Sequence, residues 1–180
     1  MKDFLRSIQL IQDLRIELEI SQNDFVNKLR NEVEESELGL FSDFFDVFSS
    51  NKKEYKGMVS YESFRIKRKR KFFDNRASNA TASGRFENRE NRLIIHAEIN
   101  GFHNGMIFFY IIITVFYLFF LSTFIGFSQA DSGFSFFGLP FILIHALLMY
   151  SIPYFVMRRA SKRLKHNLER EFYYLTKQSS

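Results

Sequence analysis

Two long apolar blocks constrain the fold more than any other feature of the sequence. Residues 105–127 and 134–157 contain no Asp, Glu, Lys or Arg, and each exceeds the roughly 18 residues expected of a transmembrane helix. At about 1.5 Å rise per residue, such a block reaches roughly 34 Å, enough for a hydrocarbon core of about 30 Å. The alternative is a buried hairpin, but a chain of 180 residues is too small to enclose two such helices on every side. We therefore predict two transmembrane helices.

The charges that flank these blocks predict their orientation. The link at residues 128–133 holds Asp131 and no base, whereas Lys and Arg gather before the first block and after the second. Basic residues collect on the cytoplasmic side of membrane segments. We predict a multi-pass protein of the cytoplasmic (inner) membrane with both termini in the cytoplasm. Residues 1–20 contain no signal-peptide-like apolar run, so the first block would also act as the insertion signal.

Hydrophobic periodicity predicts the elements of the first half of the chain. Residues 14–20 alternate between apolar and charged side chains, which indicates a half-buried strand. Ser21 is a good N-cap, with Asp24 three residues on, and apolar residues at helical spacing then continue to Val33. A second short helix is predicted over residues 40–48.

Further along, the period falls to two and later returns to that of a helix. Residues 56–60 and 63–73 are predicted to pair as a hairpin, and residues 82–99 to form two strands joined at 88–91. After the second block, an amphipathic helix is predicted to fold back on the sheet. Its apolar stripe consists of Ala160, Leu164, Leu168, Phe172 and Leu175.

This order of elements predicts an α+β fold, with a small antiparallel sheet, helices, and an inserted two-helix transmembrane hairpin. The order is similar to the helix-grip layout of START-like domains. The predicted parts are a cytoplasmic α+β domain at 1–104, transmembrane helices at 105–127 and 134–157, an extracytoplasmic link at 128–133, and a cytoplasmic basic amphipathic helix at 158–180.

A dense basic run follows Phe64 in the segment FRIKRKRKFF. Phe64 and Ile66 are expected to face the core, and the alternate cations to face outward. This outward row has three interpretations: a solvated or edge-protecting face, a surface attracted to anionic lipid at about 1 kcal/mol per residue, or a nucleic-acid contact. The last is disfavoured because no recognition motif accompanies the run. The predicted membrane-surface basic residues are Arg65, Lys67, Lys69, Lys71, Arg158, Arg159, Lys162, Arg163 and Lys165.

His145 lies in the middle of the second apolar block, where an ionisable group is costly and is a functional hypothesis. In an antiparallel hairpin it would face Phe116, with Thr114 and Tyr117 as the nearest polar partners. The leading interpretation is a neutral imidazole in an interhelical hydrogen bond, worth about 0.6 kcal/mol. A proton-relay or ligand role is the alternative.

The segments 55–73, 82–87 and 92–102 run directly into the first apolar block, and together they resemble a group of small uncharacterised bacterial membrane proteins. The matching positions are Tyr55, Gly57, Val59, Phe64, Ile66, Arg68, Gly84 and Phe86. Residues 74–82 depart from the group, because they are rich in Asn and Ser where it has an aromatic-proline stretch. The resemblance implies a cytoplasmic α+β domain, a two-helix hairpin and a basic C-terminal helix, and it brings no activity.

The sequence contains no Walker loop, G-x-S-x-G, H-E-x-x-H or metal-spaced cluster, and it has no cysteine. We therefore expect no catalysis, no metal and no cofactor.

The predicted function is a membrane-anchored interaction or sensory module with basic surfaces that face anionic lipid. One alternative is a tethered lipid or apolar-ligand binding domain, and another is a toxin-immunity or accessory membrane subunit. The expected partners are the lipid membrane and either another protein or a second copy of the chain. The residues that motivate the lipid-binding alternative are Phe41, Phe44, Phe45 and Phe48.

Overall fold

The computed structural model describes residues 1–36, 53–69, 80–90, 92–128 and 132–177. The fold is α+β, with a six-stranded mixed sheet and helices. Two compact units are distinguished: the α+β unit, Met1–Phe102 with Met157–Ser180, and the apolar unit, His103–Val156.

The helices and strands of the described ranges have the following bounds. The helices are α1 (Lys2–Ser7), α2 (Gln22–Glu32), α3 (Asn104–Ser128) and α4 (Ser132–Lys177). The strands are β1 (Ile11–Leu18), β2 (Val33–Glu35), β3 (Tyr55–Val59), β4 (Ser63–Arg68), β5 (Thr81–Arg89) and β6 (Arg92–Asn100). Their order across the sheet is β1-β6-β5-β4-β3-β2.

Strand β1 confirms the alternation read from the sequence. Leu14, Ile16 and Leu18 are buried on one face, while the residues between them are exposed. The strand pairs antiparallel with β6, which lies much later in the chain. Local periodicity therefore predicted the strand and its faces, but not its neighbour.

Helix α2 begins as the capping pattern predicts. The backbone N–H of Asp24 donates to Ser21 Oγ at 3.2 Å, which satisfies one of the four N–H groups that lack partners in the first turn. The helix ends at Glu32, and Val33, the last apolar residue assigned to it by spacing, takes extended dihedrals instead (φ −103°, ψ 130°) and starts β2.

The cap provides the first testable prediction. Replacing Ser21 with Ala should lower the free energy of unfolding by about 1 kcal/mol, because the N–H of Asp24 loses its acceptor. Pulse proteolysis in urea would measure the change. Ser21→Asn is the matched control, since Asn caps helices as well as Ser does; an equal loss in both variants would contradict the capping account.

The two predicted hairpins are confirmed in the described residues, with one correction to the sheet. Strand β4 ends at Arg68, and residues 70–73 of the predicted strand lie outside the described residues. Strands β3 and β4 pair antiparallel, as do β5 and β6. The sheet is mixed, because β2 pairs parallel with β3, so the prediction of a purely antiparallel sheet is wrong at this edge. A strand of three residues is too short to show a period. The predicted helix over residues 40–48 lies outside the described residues.

The core of the α+β unit lies on one face of the sheet, beneath α2 and the C-terminal part of α4. Leu164, Leu168, Phe172 and Leu175 are all buried, which confirms the stripe predicted for this helix; Ala160 packs at its margin. Four aromatic rings meet there: Phe25, Phe64, Phe86 and Phe172 contact one another with centroids 5.3 to 5.8 Å apart. Full burial of such a side chain contributes roughly 1.5–3 kcal/mol.

The apolar unit contains α3 and the first part of α4. The segments Gly105–Ile125 and Gly138–Lys177 belong to helices long and apolar enough to cross a membrane, and the apolar window of each is 6% buried. The second predicted span and the predicted tail helix are one continuous helix, α4, with Pro140 and Pro153 inside it. The length, apolar composition and exposure of the two segments give weak support for membrane association.

Candidate binding groove on the open face of the sheet

The face of the sheet opposite the aromatic core carries mostly polar side chains, and we call it the open face. The strand register aligns them in rows that cross the sheet. One row consists of Arg15, His96, Arg85 and Ser63, on β1, β6, β5 and β4. The next consists of Asp13, Glu98, Ser83, Arg65 and Met58, on β1, β6, β5, β4 and β3.

These two rows and Lys2 of α1 line an open groove with a volume of about 1030 Å³. Small-molecule sites in proteins commonly have volumes of about 300–1,000 Å³, so the groove can accept a ligand of substantial size. Because it lies across five strands, it presents side chains from distant parts of the chain to one ligand.

Both carboxylates of the groove are neutralised by α1. Arg6 donates from Nε to Asp13 Oδ2 at 3.1 Å and from Nη2 to Glu98 Oε2 at 2.7 Å. Lys2 Nζ lies 2.8 Å from Glu98 Oε1. The hydrogen bond to Asp13 raises the pKa of Arg6. The two acids are therefore already paired and do not offset the remaining cations of the groove.

Three arginines remain exposed in the groove: Arg15, Arg65 and Arg85. Among the residues that the structure describes, none of the three forms a hydrogen bond or ion pair. Neighbouring strands lie about 4.8 Å apart, so the Cα atoms of Arg15 and Arg85, on either side of β6, are roughly 10 Å apart. Arg65 is a diagonal neighbour of Arg85, at roughly 7–8 Å. Long side chains can meet over such distances.

His96 lies between Arg15 and Arg85 in the register, but its side chain contacts Glu87, which is not part of the groove lining. Its Nε2 atom is 3.3 Å from Glu87 Oε2. Arg89 Nε donates to the other oxygen of Glu87 at 2.7 Å, and this bond lowers the pKa of that carboxyl. Glu87 is thus compensated by its own neighbours rather than by the groove arginines.

Sequence reasoning identified only one member of this arginine set. Arg65 was found because it stands in the basic run, and it is exposed as predicted. Arg15 and Arg85 were missed, because each is a single cation on the polar face of its strand. Only the pairing of β1 and β5 with β6 brings them together.

The rest of the basic run differs from the expectation. Lys67 and Lys69 are 7% and 5% exposed, so the prediction that they face outward into solvent or lipid is wrong. Lys69 forms an ion pair with Glu34 of β2, a strand that the sequence did not predict. Lys67 lies opposite the buried Lys56 in the register. Lys71 lies outside the described residues.

The five cations predicted at the start of the tail helix fall into two groups. Arg158 donates to Gln9 Oε1 at 2.6 Å, and Lys165 donates to the backbone oxygen of Asp13 at 2.8 Å. Both therefore attach the C-terminal part of α4 to residues in and just before β1. The other three form no such contact with any residue that the structure describes. Arg159 and Lys162 are exposed, and Arg163 is half-buried.

The polar residues predicted within the apolar blocks form two separate contacts. Tyr117 Oη lies 2.6 Å from His145 Nδ1, which places together the pair expected from an antiparallel hairpin. Thr114 Oγ1 instead contacts Tyr150 Oη at 2.6 Å, so it is not a described partner of His145. Tyr150 was not predicted as a polar partner. Its ring stacks on that of Tyr110. The two contacts join α3 to α4.

The described ranges contain no group of three or more His, Cys, Asp or Glu residues that could hold a metal ion. No protein-family model, curated protein or solved structure matches the chain.

Proposed function

We propose that the protein is a membrane-anchored interaction or sensory module whose α+β unit binds a ligand in the groove of the open face. The observation that carries the proposal is the groove itself, where arginines from three strands stand without carboxylate partners among the described residues. Uncompensated like charges on one surface attract ligands of the opposite sign.

Membrane anchoring is supported by the two apolar helices. Their most apolar windows are 6% buried, whereas the core helix of a soluble domain would be mostly buried. In this proposal they form a hairpin inserted between β6 and the tail of α4, in the inner membrane of a bacterium. Both termini lie in the cytoplasm, and the exposed bases Arg159 and Lys162 lie near anionic lipid.

Binding is favoured over catalysis by the placement of the hydroxyl groups. A serine nucleophile needs a base within hydrogen-bond reach. Ser63 is opposite Arg85 in the register, and its hydroxyl contacts Ser60 Oγ at 3.0 Å. Ser83 lies between Glu98 and Arg65. Ser60, the third serine of the lining, donates to the backbone oxygen of Ser63 at 2.8 Å. Among the described residues, therefore, none of the three serines is paired with His96, and histidine is the side chain that most often acts as a general base.

Single cysteines would test the anchoring. The chain has no cysteine, so Ser128→Cys in the predicted link and Tyr174→Cys in the tail each carry one thiol. With a membrane-impermeant maleimide on intact cells, we expect labelling at 128 and none at 174. Labelling only at 174 would reverse the orientation.

Extraction of isolated membranes gives the second arm of this test. The protein should stay in the pellet after washes with alkaline carbonate and with high salt, because two spans are not released by either. Release into the supernatant would overturn membrane anchoring, whatever the labelling pattern.

A further inference from the structure

We propose that Arg15, Arg65 and Arg85 bind a soluble small molecule that carries two or more phosphoryl groups. This inference deepens the proposed function by naming the class of ligand, and it rests on the same groove. It does not require the apolar helices to lie in a membrane, so the two proposals can fail separately.

The charge balance of the groove favours an anionic ligand. Its lining has four basic side chains, Lys2, Arg15, Arg65 and Arg85, and two carboxylates. Both carboxylates are already bound by Lys2 and Arg6. The three arginines thus repel one another with no described anion between them, and a polyanionic ligand would relieve that repulsion.

The chemistry of the arginine donors favours phosphoryl groups. A guanidinium group presents a planar set of N–H donors that matches two phosphate oxygens at once. The separations of roughly 10 Å and 7–8 Å between the arginine Cα atoms suit contacts to more than one phosphoryl group. Ser83, next to Arg65 in its row, is exposed and adds a hydroxyl donor.

The exposed side chains of the lining favour a soluble ligand over a lipid. Met58, 58% exposed, is the one large apolar side chain that the described lining presents to solvent. Leu14 and Phe64 also border the groove, but they are 5% and 3% exposed and belong to the core on the other face. The described lining therefore has no run of exposed apolar side chains along which an acyl chain could lie.

The same lining argues against single-stranded nucleic acid. Proteins that bind such strands combine a basic groove with exposed aromatic side chains on which bases stack. Phe64 is the one Phe, Tyr or Trp of the described lining, and it is buried. The only other ring there, His96, contacts Glu87. This surface therefore suits phosphoryl groups better than bases or acyl chains.

Calorimetric titration of the full-length protein in nanodiscs of neutral phosphatidylcholine would test the inference, with inorganic tripolyphosphate as the probe. We expect saturable binding that weakens as salt rises. Arg15→Gln, Arg65→Gln and Arg85→Gln should each weaken it by about 10- to 100-fold, because each removes a hydrogen bond between charged groups. Arg15→Lys should recover only part of the loss, since it restores the charge without the planar donor set.

Arg89→Gln is the matched control. Arg89 lies on the same strand and face as Arg85, but it is bound to Glu87 and is not part of the groove lining. Its replacement should leave the affinity within about twofold of the parent protein. An equal loss in Arg89→Gln and Arg85→Gln would show non-specific charge attraction and would overturn the site.

Two further results would also overturn the inference. One is the absence of saturable tripolyphosphate binding by the folded protein. The other is tighter binding of a single-stranded oligonucleotide, or of vesicles containing phosphatidylglycerol, that the same three arginine variants abolish. Release of the protein from washed membranes while tripolyphosphate binding persists would contradict only the membrane anchor.

Discussion

Replacing Phe172 with Ala should lower the free energy of unfolding of the α+β unit by about 3–5 kcal/mol. Phe172 is fully buried, and its ring meets those of Phe25 and Phe64 edge to face, with centroids 5.3 Å and 5.7 Å apart. The substitution removes these contacts and leaves a cavity that the surrounding strands can close only in part. It also weakens the packing of the tail of α4 on the sheet, because Phe172 is the largest buried side chain that the tail contributes to the core.

Pulse proteolysis of the detergent-solubilised protein in urea would measure this loss. Tyr173→Ala is the matched control: Tyr173 is the next residue on the same helix, but it is 49% exposed and should cost under about 1 kcal/mol. Similar losses in the two variants would mean that the tail of α4 does not pack on the sheet as described.

Gly57→Ala should have the second largest effect, about 3 kcal/mol or more. Gly57 has φ of +145°, a conformation that residues with a Cβ rarely adopt. A Cβ there would overlap the backbone oxygen of Arg65 and would lie 2.8 Å from Ile66 Cα, both on β4. Backbone atoms of a paired strand cannot move aside without opening the pairing.

The Gly57 variant has a second consequence, because the strand it displaces carries Arg65. Destabilised protein that remains folded at low temperature should also bind tripolyphosphate more weakly. Met58→Ala is the control for stability, since Met58 follows Gly57 and is exposed. If Gly57→Ala unfolds at the same urea concentration as the parent, β3 does not lie against β4 in the described register.

Much of the local structure could be predicted from sequence. The alternation in β1, the cap at Ser21, the two antiparallel hairpins and the stripe on the tail helix are periodic patterns that each span enough residues to identify. Strand β2 was missed because three residues show no period, and α1 because six residues contain little more than one turn. The continuity of α4 was missed because its composition changes sharply at Arg158 while its backbone does not.

Local sequence patterns do not predict the groove. Sequence placed Arg15 on the polar face of one strand and Arg65 on that of another, and it drew attention to the basic run. It could not place Arg85 between them, nor predict that Lys67 and Lys69 are buried. Those outcomes depend on which strands are neighbours and in what register they pair.

The sequence by itself determined the two apolar helices, the faces of most strands and the cap of α2, because each depends on side chains that are close together in the chain. The tertiary structure alone decided that α1 neutralises Asp13 and Glu98 and that three arginines share one groove. The physical reason is that strand pairing is non-local. The pairing of β1 and β5 with β6 sets the cross-strand rows, and a shift of one residue in a strand would turn the arginine of that strand to the opposite face.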